Sequence, residues 1–314
     1  MESKYIERFI DNLDQETREK TKTAYAGDLK MFYKYLQECF PEVATEKELI
    51  SNVNNDVIED YKRFMTKVYA KSSINRKLGV LALYFEYICV NKSYLEILTH
   101  NPMAGIKKMK RVVVKKKDSL SVEEIKQLIE ACYIKEADER SFDFISKRNA
   151  FIIGLVATTG LRISEALTMT FDQLRINYEY TMIQFDSGII KNHIEKIVPM
   201  TETVQKLYDE YMIERAKLKK NSSNTIIISA NGGNIKSNGM NKQIEKILRK
   251  AGIEKEITNH SFRKSFRTIT LALGFNEELI RLTAGWATDS VSRAYIDGNT
   301  AGMDLAKIKM CSFL

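Results

Sequence analysis

Proline, histidine and cysteine are scarce in this chain of 314 residues, which has 3 prolines, 3 histidines and 4 cysteines. The cysteines stand far apart and form no CxxC pair. This spacing excludes a zinc site of the ordinary kind and predicts reduced thiols, as in a cytosolic protein. No apolar run is long enough to span a membrane, and the first twenty residues are too highly charged for a secretory signal. We therefore expect a cytoplasmic protein with no metal site and no membrane contact.

Helix-forming residues are abundant, and charged residues make up 29% of the chain. With so few prolines, this composition predicts a mainly α-helical fold. The length is generous for one hydrophobic core and comfortable for two, so we expect two domains. The formal net charge of +8 suits a polyanionic partner such as nucleic acid, although charge alone is a weak indication.

Apolar residues at helical spacing predict four helices in the first hundred residues. Two of them lie within residues 3–40, a third covers 53–68, and the fourth covers 74–90 behind two serines. The first turn of the fourth helix carries Asn75, Arg76 and Lys77. Cations beside a helix N-terminus suit a phosphate, while the simpler interpretation is a capped, solvated helix start.

A basic stretch interrupts the helical pattern after Asn101 and Pro102. Residues 103–117 hold seven lysines and arginines and no acidic residue, and their apolar residues show no helical period. We interpret residues 107–118 as a linker between a helical domain at 1–106 and a second domain at 119–314. The linker is either simply solvated or lies along a phosphate backbone, where counterion release would favour it.

The second domain is predicted to mix helices with a few strands. A capping-box pattern begins it at residues 121–124. Its later helices are predicted at 148–158, 161–169, 203–219 and 241–251. Residues 181–185 and 195–200 alternate in polarity and predict a β-hairpin, and residues 225–229 predict a short strand.

Two pairs of residues in this domain suit an anionic ligand. Arg162 follows Gly160 at a predicted helix start, and Glu165 stands three residues on, where it can orient the arginine. His260 and Arg263 share one helix face at i and i+3. Each pair alone is more simply explained as ordinary helix surface.

The order and spacing of the candidate residues are more specific than any one of them. Arg162 with Glu165, Lys191, His260-x-x-Arg263, and Trp286 nine residues before Tyr295 form a series that resembles the tyrosine recombinase (phage integrase) family, of the Xer-like or Cre-like kind. The stretches that carry the resemblance are TTGLRISEAL, IIKNHIEKIVP, NHSFRKSF, AGWATDS and SRAY. In the first domain, TAYAGDLKMFYKYL, KSSINRKLGVLALYFEYI and NPM resemble the helical core-binding domain of that family.

The resemblance implies a two-domain DNA clamp. Its first part would be a helical, SAM-like core-binding domain, and its second a mixed α+β catalytic domain with a small antiparallel sheet. The implied DNA contacts of the first domain and the linker are Lys71, Ser72, Ser73, Asn75, Arg76, Lys77, Lys107, Lys108, Lys110, Arg111, Lys115, Lys116 and Lys117.

The resemblance also implies a mechanism. Tyr295 would attack a DNA phosphate to form a 3′-phosphotyrosyl link and free a 5′-hydroxyl, with Arg162 and Arg263 binding the phosphate oxygens. His260 would act as base or donor, Lys191 as general acid, and Glu165 as a supporting residue. The family mostly has histidine where Trp286 stands, and an indole can donate a hydrogen bond but cannot titrate. No cofactor, ATP or metal is required.

The implied partners are double-stranded DNA at a specific recombination site and other copies of the chain. Four copies would assemble on paired sites through the C-terminal tail at about residues 300–314, and accessory DNA-bending proteins are a further partner that such reactions allow. A type IB topoisomerase and a non-catalytic DNA-binding protein on the same fold are the alternatives. DNA integration, transposon resolution and Xer-like resolution of dimers all remain open as the biological role.

Overall fold

The structure is a computed structural model. The chain forms two compact units, Met1–Lys115 and Lys116–Leu314. The structure describes residues 3–14, 17, 19–91, 97–98, 100–110, 118–136, 141–177, 180–185, 196–284, 309 and 312–314. Each unit has a hydrophobic core of its own. The predicted mainly α fold is confirmed. Within the described ranges, no helix is both long and apolar enough to cross a membrane.

All the regular secondary structure described in the first unit is α-helical. Its helices are α1 (Lys4–Asp11), α2 (Glu19–Cys39), α3 (Glu46–Ser51), α4 (Asn55–Thr66) and α5 (Lys71–Val90). α2 packs against α1 and α5, and α4 also packs against α5. α5 begins three residues earlier than predicted, so Ser72 and Ser73 lie inside its first turn rather than before it. The short helix α3 was not predicted, because six residues carry too little periodicity.

The second unit is built around one buried helix. Its helices are α6 (Val122–Ala131), α7 (Phe142–Thr159), α8 (Ile163–Leu167), α9 (Glu202–Ala216), α10 (Ser237–Lys250), α11 (Asn259–Ala272) and α12 (Glu277–Ala284). α7 is buried along most of its length and packs against α6, α9 and α11. The capping box predicted for α6 is present: Ser121 Oγ accepts from the Glu124 N–H at 3.2 Å, and Glu124 Oε2 accepts from the Ser121 N–H at 2.7 Å.

A small antiparallel sheet completes the second unit. Its strands are β1 (Leu174–Asn177), β2 (Tyr180–Phe185) and β3 (Lys196–Pro199), in the order β1-β2-β3. The predicted hairpin is confirmed, with Met182 opposite Pro199. β1 adds a strand that was not predicted, since its sequence LRIN is short and half polar.

The prediction of a strand at residues 225–229 is wrong. The run forms only isolated bridges, between Thr225 and Thr170 and between Ile228 and Asn234. A tyrosine side chain takes the place of a neighbouring strand, because the Tyr211 hydroxyl donates to the Ile226 carbonyl at 3.1 Å and accepts from the Ile228 N–H at 3.2 Å. The three isoleucines predicted to be a strand are instead a buried loop.

Candidate active site

A tight turn after α7 sets the position of Arg162. Gly160 follows the helix with a φ of 62°, in the left-handed region where a side chain is strained. A Cβ atom on Gly160 would also lie 2.6 Å from Cδ1 of Phe266 and 3.2 Å from Cβ of Ala284. Only glycine therefore lets the chain turn this close to α11 and α12 before α8 begins behind Arg162.

Arg263 on α11 is the buried centre of the site. The residue is 6% exposed. Its Nη1 donates to the Gly160 carbonyl at 2.6 Å, and its Nη2 donates to the Ala284 carbonyl at 3.0 Å. Because the last carbonyls of a helix lack partners inside it, the guanidinium satisfies the ends of both α7 and α12. His260 lies one turn earlier on α11 and is exposed, so it shares the helix face predicted from the sequence.

Glu165 connects the two arginines. This residue of α8 is 8% exposed. Its carboxylate accepts from the backbone N–H of Arg162 at 2.8 Å and from Arg162 Nη1, and it lies 3.8 Å from Nη1 of Arg263. A carboxylate between two guanidinium groups reduces their repulsion and fixes the direction of each. These contacts support the orienting role predicted for Glu165.

The electrostatics of Arg263 favour an anionic ligand. Burial lowers the pKa of Arg263 to about 10, and the positive charge of Arg162 adds to this effect while Glu165 opposes it. Both causes disfavour the charged guanidinium, and the attraction of a bound anion would offset them. A negatively charged group in the cavity would therefore stabilise the charged form of Arg263.

An open cavity of about 400 Å³ lies in front of these residues. Its walls carry Arg162, His260 and Arg263 together with residues from the start of α10, namely Ser237, Asn238 and Asn241. The sequence did not indicate the α10 residues, because a Ser-Asn-Gly start is a poor helix signal and the helix was predicted to begin only at Asn241. No group of three or more metal-binding side chains occurs among the residues that the structure describes.

The family of the chain follows from comparison with known proteins. A sequence model of the "Phage integrase family" matches residues 118–301, more than half of the chain. The chain belongs to the phage integrase family. A second model, "Phage integrase, N-terminal SAM-like domain", matches residues 6–92 in the first unit. The resemblance stated from the motifs is thereby confirmed, and the arginine-lined cavity lies within the region of the integrase match.

Similar integrase-family proteins span most of the chain. The tyrosine recombinase XerC of Listeria innocua serovar 6a is 23% identical over 303 residues, which cover 94% of this chain and 93% of the relative. The XerH site-specific recombinase in a pre-cleavage complex with its difH substrate has a TM-score of 0.65 at 19% identity, covering 92% of this chain and 79% of that chain. A lambda integrase tetramer bound to a Holliday junction has a TM-score of 0.64 at 15% identity, covering 92% and 75%. At these identities the two structures show a shared fold.

Several residues expected in an integrase site lie outside the described residues. They are the predicted catalytic residues Lys191, Trp286 and Tyr295 and the linker residues Arg111, Lys115, Lys116 and Lys117. Their roles, and the linker bounds 107–118, stay predictions. The described residues that the fold brings together are Arg162, Glu165, His260 and Arg263.

The predicted DNA contacts on α5 differ in what they touch. Lys77 is 8% exposed, and its Nζ lies 2.6 Å from Oδ1 of Asp28, a carboxylate that Arg76 also binds. The carboxamide of Asn75 is bonded to the backbone of Met109. Lys77 and Asn75 therefore help to hold the first unit together. Direct phosphate contact stays a prediction for these two residues, for Lys71, Ser72, Ser73 and Arg76, and for the exposed Lys107, Lys108 and Lys110.

Replacing Glu165 with glutamine should slow DNA cleavage by about 10- to 100-fold. The amide keeps the shape of the side chain but removes the negative charge between Arg162 and Arg263, and charge-assisted bonds are roughly twice as strong as neutral ones. The measurement is the single-turnover rate of covalent adduct formation on a nicked duplex.

Glu214→Gln is the matched control for this variant. Glu214 is also 8% exposed and also binds two cations, with Oε1 at 3.0 Å from Lys147 Nζ and 2.8 Å from Lys217 Nζ, but it does not line the cavity. We expect it to lower the unfolding temperature without the same loss of rate. Equal loss of rate in both variants would mean that Glu165 acts through stability alone.

Proposed function

We propose that this chain is a site-specific DNA recombinase that breaks and rejoins DNA through a covalent 3′-phosphotyrosyl intermediate. The observation that carries the proposal is the cavity in which Arg162, His260 and Arg263 face a common space, with Glu165 behind both arginines. Two guanidinium groups and an imidazole in one cavity suit the charge that builds on a phosphodiester during displacement. Membership of the phage integrase family and the similarity to XerC add to this support.

In the proposed reaction the Tyr295 oxygen attacks the scissile phosphorus. The new bond joins that oxygen to phosphorus, the bond from phosphorus to the 5′-oxygen breaks, and the 3′-phosphate stays on the tyrosine. His260 takes the phenolic proton, and Lys191 gives the leaving 5′-oxygen its proton. Arg162 and Arg263 bind the non-bridging oxygens, to which Trp286 can add one N–H donor. Attack by the 5′-hydroxyl of another strand reverses these steps and rejoins the DNA, so no external energy source enters.

Covalent trapping on DNA tests this function. A duplex that carries the target site and a nick close to the cleavage position loses the short fragment with the 5′-hydroxyl, so religation fails and the adduct accumulates. We expect a protein–DNA adduct that survives denaturing electrophoresis, with the protein on the 3′-phosphate. Binding without an adduct would indicate a non-catalytic DNA-binding protein, and relaxation of supercoiled DNA without a defined site would indicate a topoisomerase. The comparisons lend the topoisomerase no support.

We also propose that copies of the chain assemble on paired sites as a tetramer. One site of this kind cuts one strand, whereas exchange between two duplexes requires four cuts. The similar lambda integrase forms a tetramer on a Holliday junction. Whether the chain integrates mobile DNA or resolves dimers depends on the target sequence, which base contacts decide.

The C-terminal end is the proposed contact between copies. Phe313 packs against Phe266, Ile280 and Ala284 within the second unit, and the Leu314 carbonyl accepts from Thr203 Oγ1 at 3.0 Å. A neighbour's tail could occupy the same apolar cluster in exchange, since the contact depends only on surface that each copy offers.

Deleting residues 303–314 should weaken assembly on paired sites more than binding of one copy. The truncated protein loses the Phe313 contact in every interface of a tetramer but only once in a monomer. Quantitative gel-shift titration on half-sites and full sites measures the two affinities separately. If the truncated protein binds full sites with unchanged cooperativity, the tail contacts only its own chain and not a neighbouring copy.

A further inference from the structure

Residues 101–110, here named the strap, are bonded to the helices of the first unit by asparagine side chains. Asn75 on α5 donates from Nδ2 to the Met109 carbonyl at 2.9 Å and accepts at Oδ1 from the Met109 N–H at 2.8 Å. A carboxamide that bonds both polar groups of one peptide residue imitates the pairing of neighbouring β-strands. Asn75 therefore binds one particular residue of the strap through two hydrogen bonds.

The other end of the strap is also held by an asparagine. Asn55 on α4 donates from Nδ2 to the carbonyls of Pro102 and Ala104, at 3.1 and 2.6 Å. Between these ends, Met103, Ile106 and Met109 pack against the core of the first unit. A shift of one residue would place Lys108 or Lys110 where the half-buried Met109 packs, and covering a lysine with apolar side chains is unfavourable. The strap is thus held in one register.

This fixed register places three lysines in solvent. Lys107, Lys108 and Lys110 are exposed, and the strap contains no acidic residue. Lys71 is exposed one turn before Asn75 on the same face of α5, so it adds a positive charge on the side of the helix that bonds Met109. An ordered row of like charges repels itself unless an extended polyanion lies against it.

We propose that Asn75 is a positioning residue: by fixing the register of the strap, it presents the strap lysines, already predicted as DNA contacts, to the phosphodiester backbone. The inference rests on the proposed function, because it takes DNA as the polyanion. It adds that Asn75 acts through Met109 and makes no contact with DNA itself. Backbone contacts of this kind raise affinity and set the position of the protein on the duplex, without reading bases.

The salt dependence of binding tests the lysines. The full-length chain carrying Tyr295→Phe is titrated with an unnicked duplex by fluorescence anisotropy at several salt concentrations. Lys107→Gln, Lys108→Gln and Lys110→Gln together should reduce the slope of log K against log salt by up to about 2.7, since each phosphate contact contributes about 0.9. Lys126→Gln with Lys206→Gln, at exposed positions on α6 and α9, is the control and should leave the slope nearly unchanged. An unchanged slope in the strap variant overturns the proposal.

A double-mutant cycle tests Asn75. Asn75→Ala should weaken binding by about tenfold, because two hydrogen bonds of ordinary strength hold the strap in place. In the variant that already lacks the three lysines, the same change should cost less than twofold, since no charges remain to be positioned. The same tenfold loss in both backgrounds overturns the positioning role.

Two further variants keep the result interpretable. Asn52→Ala removes another exposed asparagine of the first unit and should bind as the parent chain does. If Asn75→Ala does not fold, Met109→Pro leaves α5 intact and removes the N–H that donates to Asn75 Oδ1. It should weaken binding by about threefold, because one of the two bonds is lost. Adduct formation by the wild-type chain on nicked DNA separates the strap proposal from the proposed function. If the wild type forms the adduct but the triple-lysine variant binds DNA as the parent does, only the strap proposal is rejected. If the wild type forms no adduct, the recombinase function is rejected.

Discussion

Replacing Tyr295 with phenylalanine should abolish the covalent protein–DNA adduct completely while changing DNA affinity by no more than about twofold. The substitution removes one oxygen atom, which is the proposed nucleophile, and leaves the aromatic ring. No other side chain in the proposed mechanism can form the phosphotyrosyl bond, so the expected loss is of the whole reaction. Denaturing electrophoresis on a labelled nicked duplex measures the adduct, and anisotropy measures binding.

The other tyrosines of the second unit are poor substitutes for Tyr295. That unit has six tyrosines, and none of those that the structure describes lines the arginine cavity. Burial raises the pKa of Tyr208 and of Tyr211, and the Tyr211 hydroxyl is already bonded to the backbone of residues 226 and 228. Burial, together with Glu210, raises the pKa of Tyr133 as well. A phenol that is harder to ionise is a weaker nucleophile.

Tyr133→Phe is therefore the matched control for Tyr295→Phe. Its hydroxyl donates to Glu210 Oε2 at 3.0 Å on the surface, so its removal tests the loss of a tyrosine oxygen away from the cavity. We expect full adduct formation from this variant. A persistent adduct in Tyr295→Phe, mapped to another residue by mass spectrometry, would refute the assignment of the nucleophile.

Local spacing was enough to predict half of the site. His260 and Arg263 stand three residues apart on a helix, and so do Arg162 and Glu165 around the start of α8, so each pair had to share a face. The prediction that the two pairs lie in one site rested on the resemblance to a family. In the structure, long-range contacts bring the pairs together, such as the bond from Arg263 to the Gly160 carbonyl, 103 positions away along the chain. Periodicity carries no information about such contacts.

Other parts of the fold escaped prediction for identifiable reasons. The start of α10 was missed because Ser237, Asn238 and Gly239 are weak helix formers that tertiary packing overrides. Residues 225–229 have a strand-like sequence, but their backbone is hydrogen-bonded to the Tyr211 hydroxyl and not to a neighbouring strand. The bond between Asn75 and Met109 could not be predicted either, because the two residues lie 34 positions apart along the chain.

Arg263→Lys should reduce the rate of adduct formation by about a thousandfold. The guanidinium already bonds the carbonyls of Gly160 and Ala284 and still faces the cavity with Arg162. Lysine keeps the positive charge but offers one nitrogen, which cannot reach two helix ends and a phosphate in the same geometry. The loss of one preorganised donor to a charged transition state costs about 100- to 1000-fold, and the misplaced turn at Gly160 adds to it.

Arg267→Lys separates chemistry from helix stability in this experiment. Arg267 lies one turn further along α11, where its half-exposed guanidinium pairs with Glu277. We expect it to cleave within about twofold of the wild-type rate, because exposed ion pairs contribute little. Both rates are measured under single-turnover conditions at a temperature where circular dichroism shows each variant folded. A rate for Arg263→Lys within threefold of that for Arg267→Lys would show that Arg263 contributes charge alone, and that the bonds to Gly160 and Ala284 do not set the geometry of cleavage.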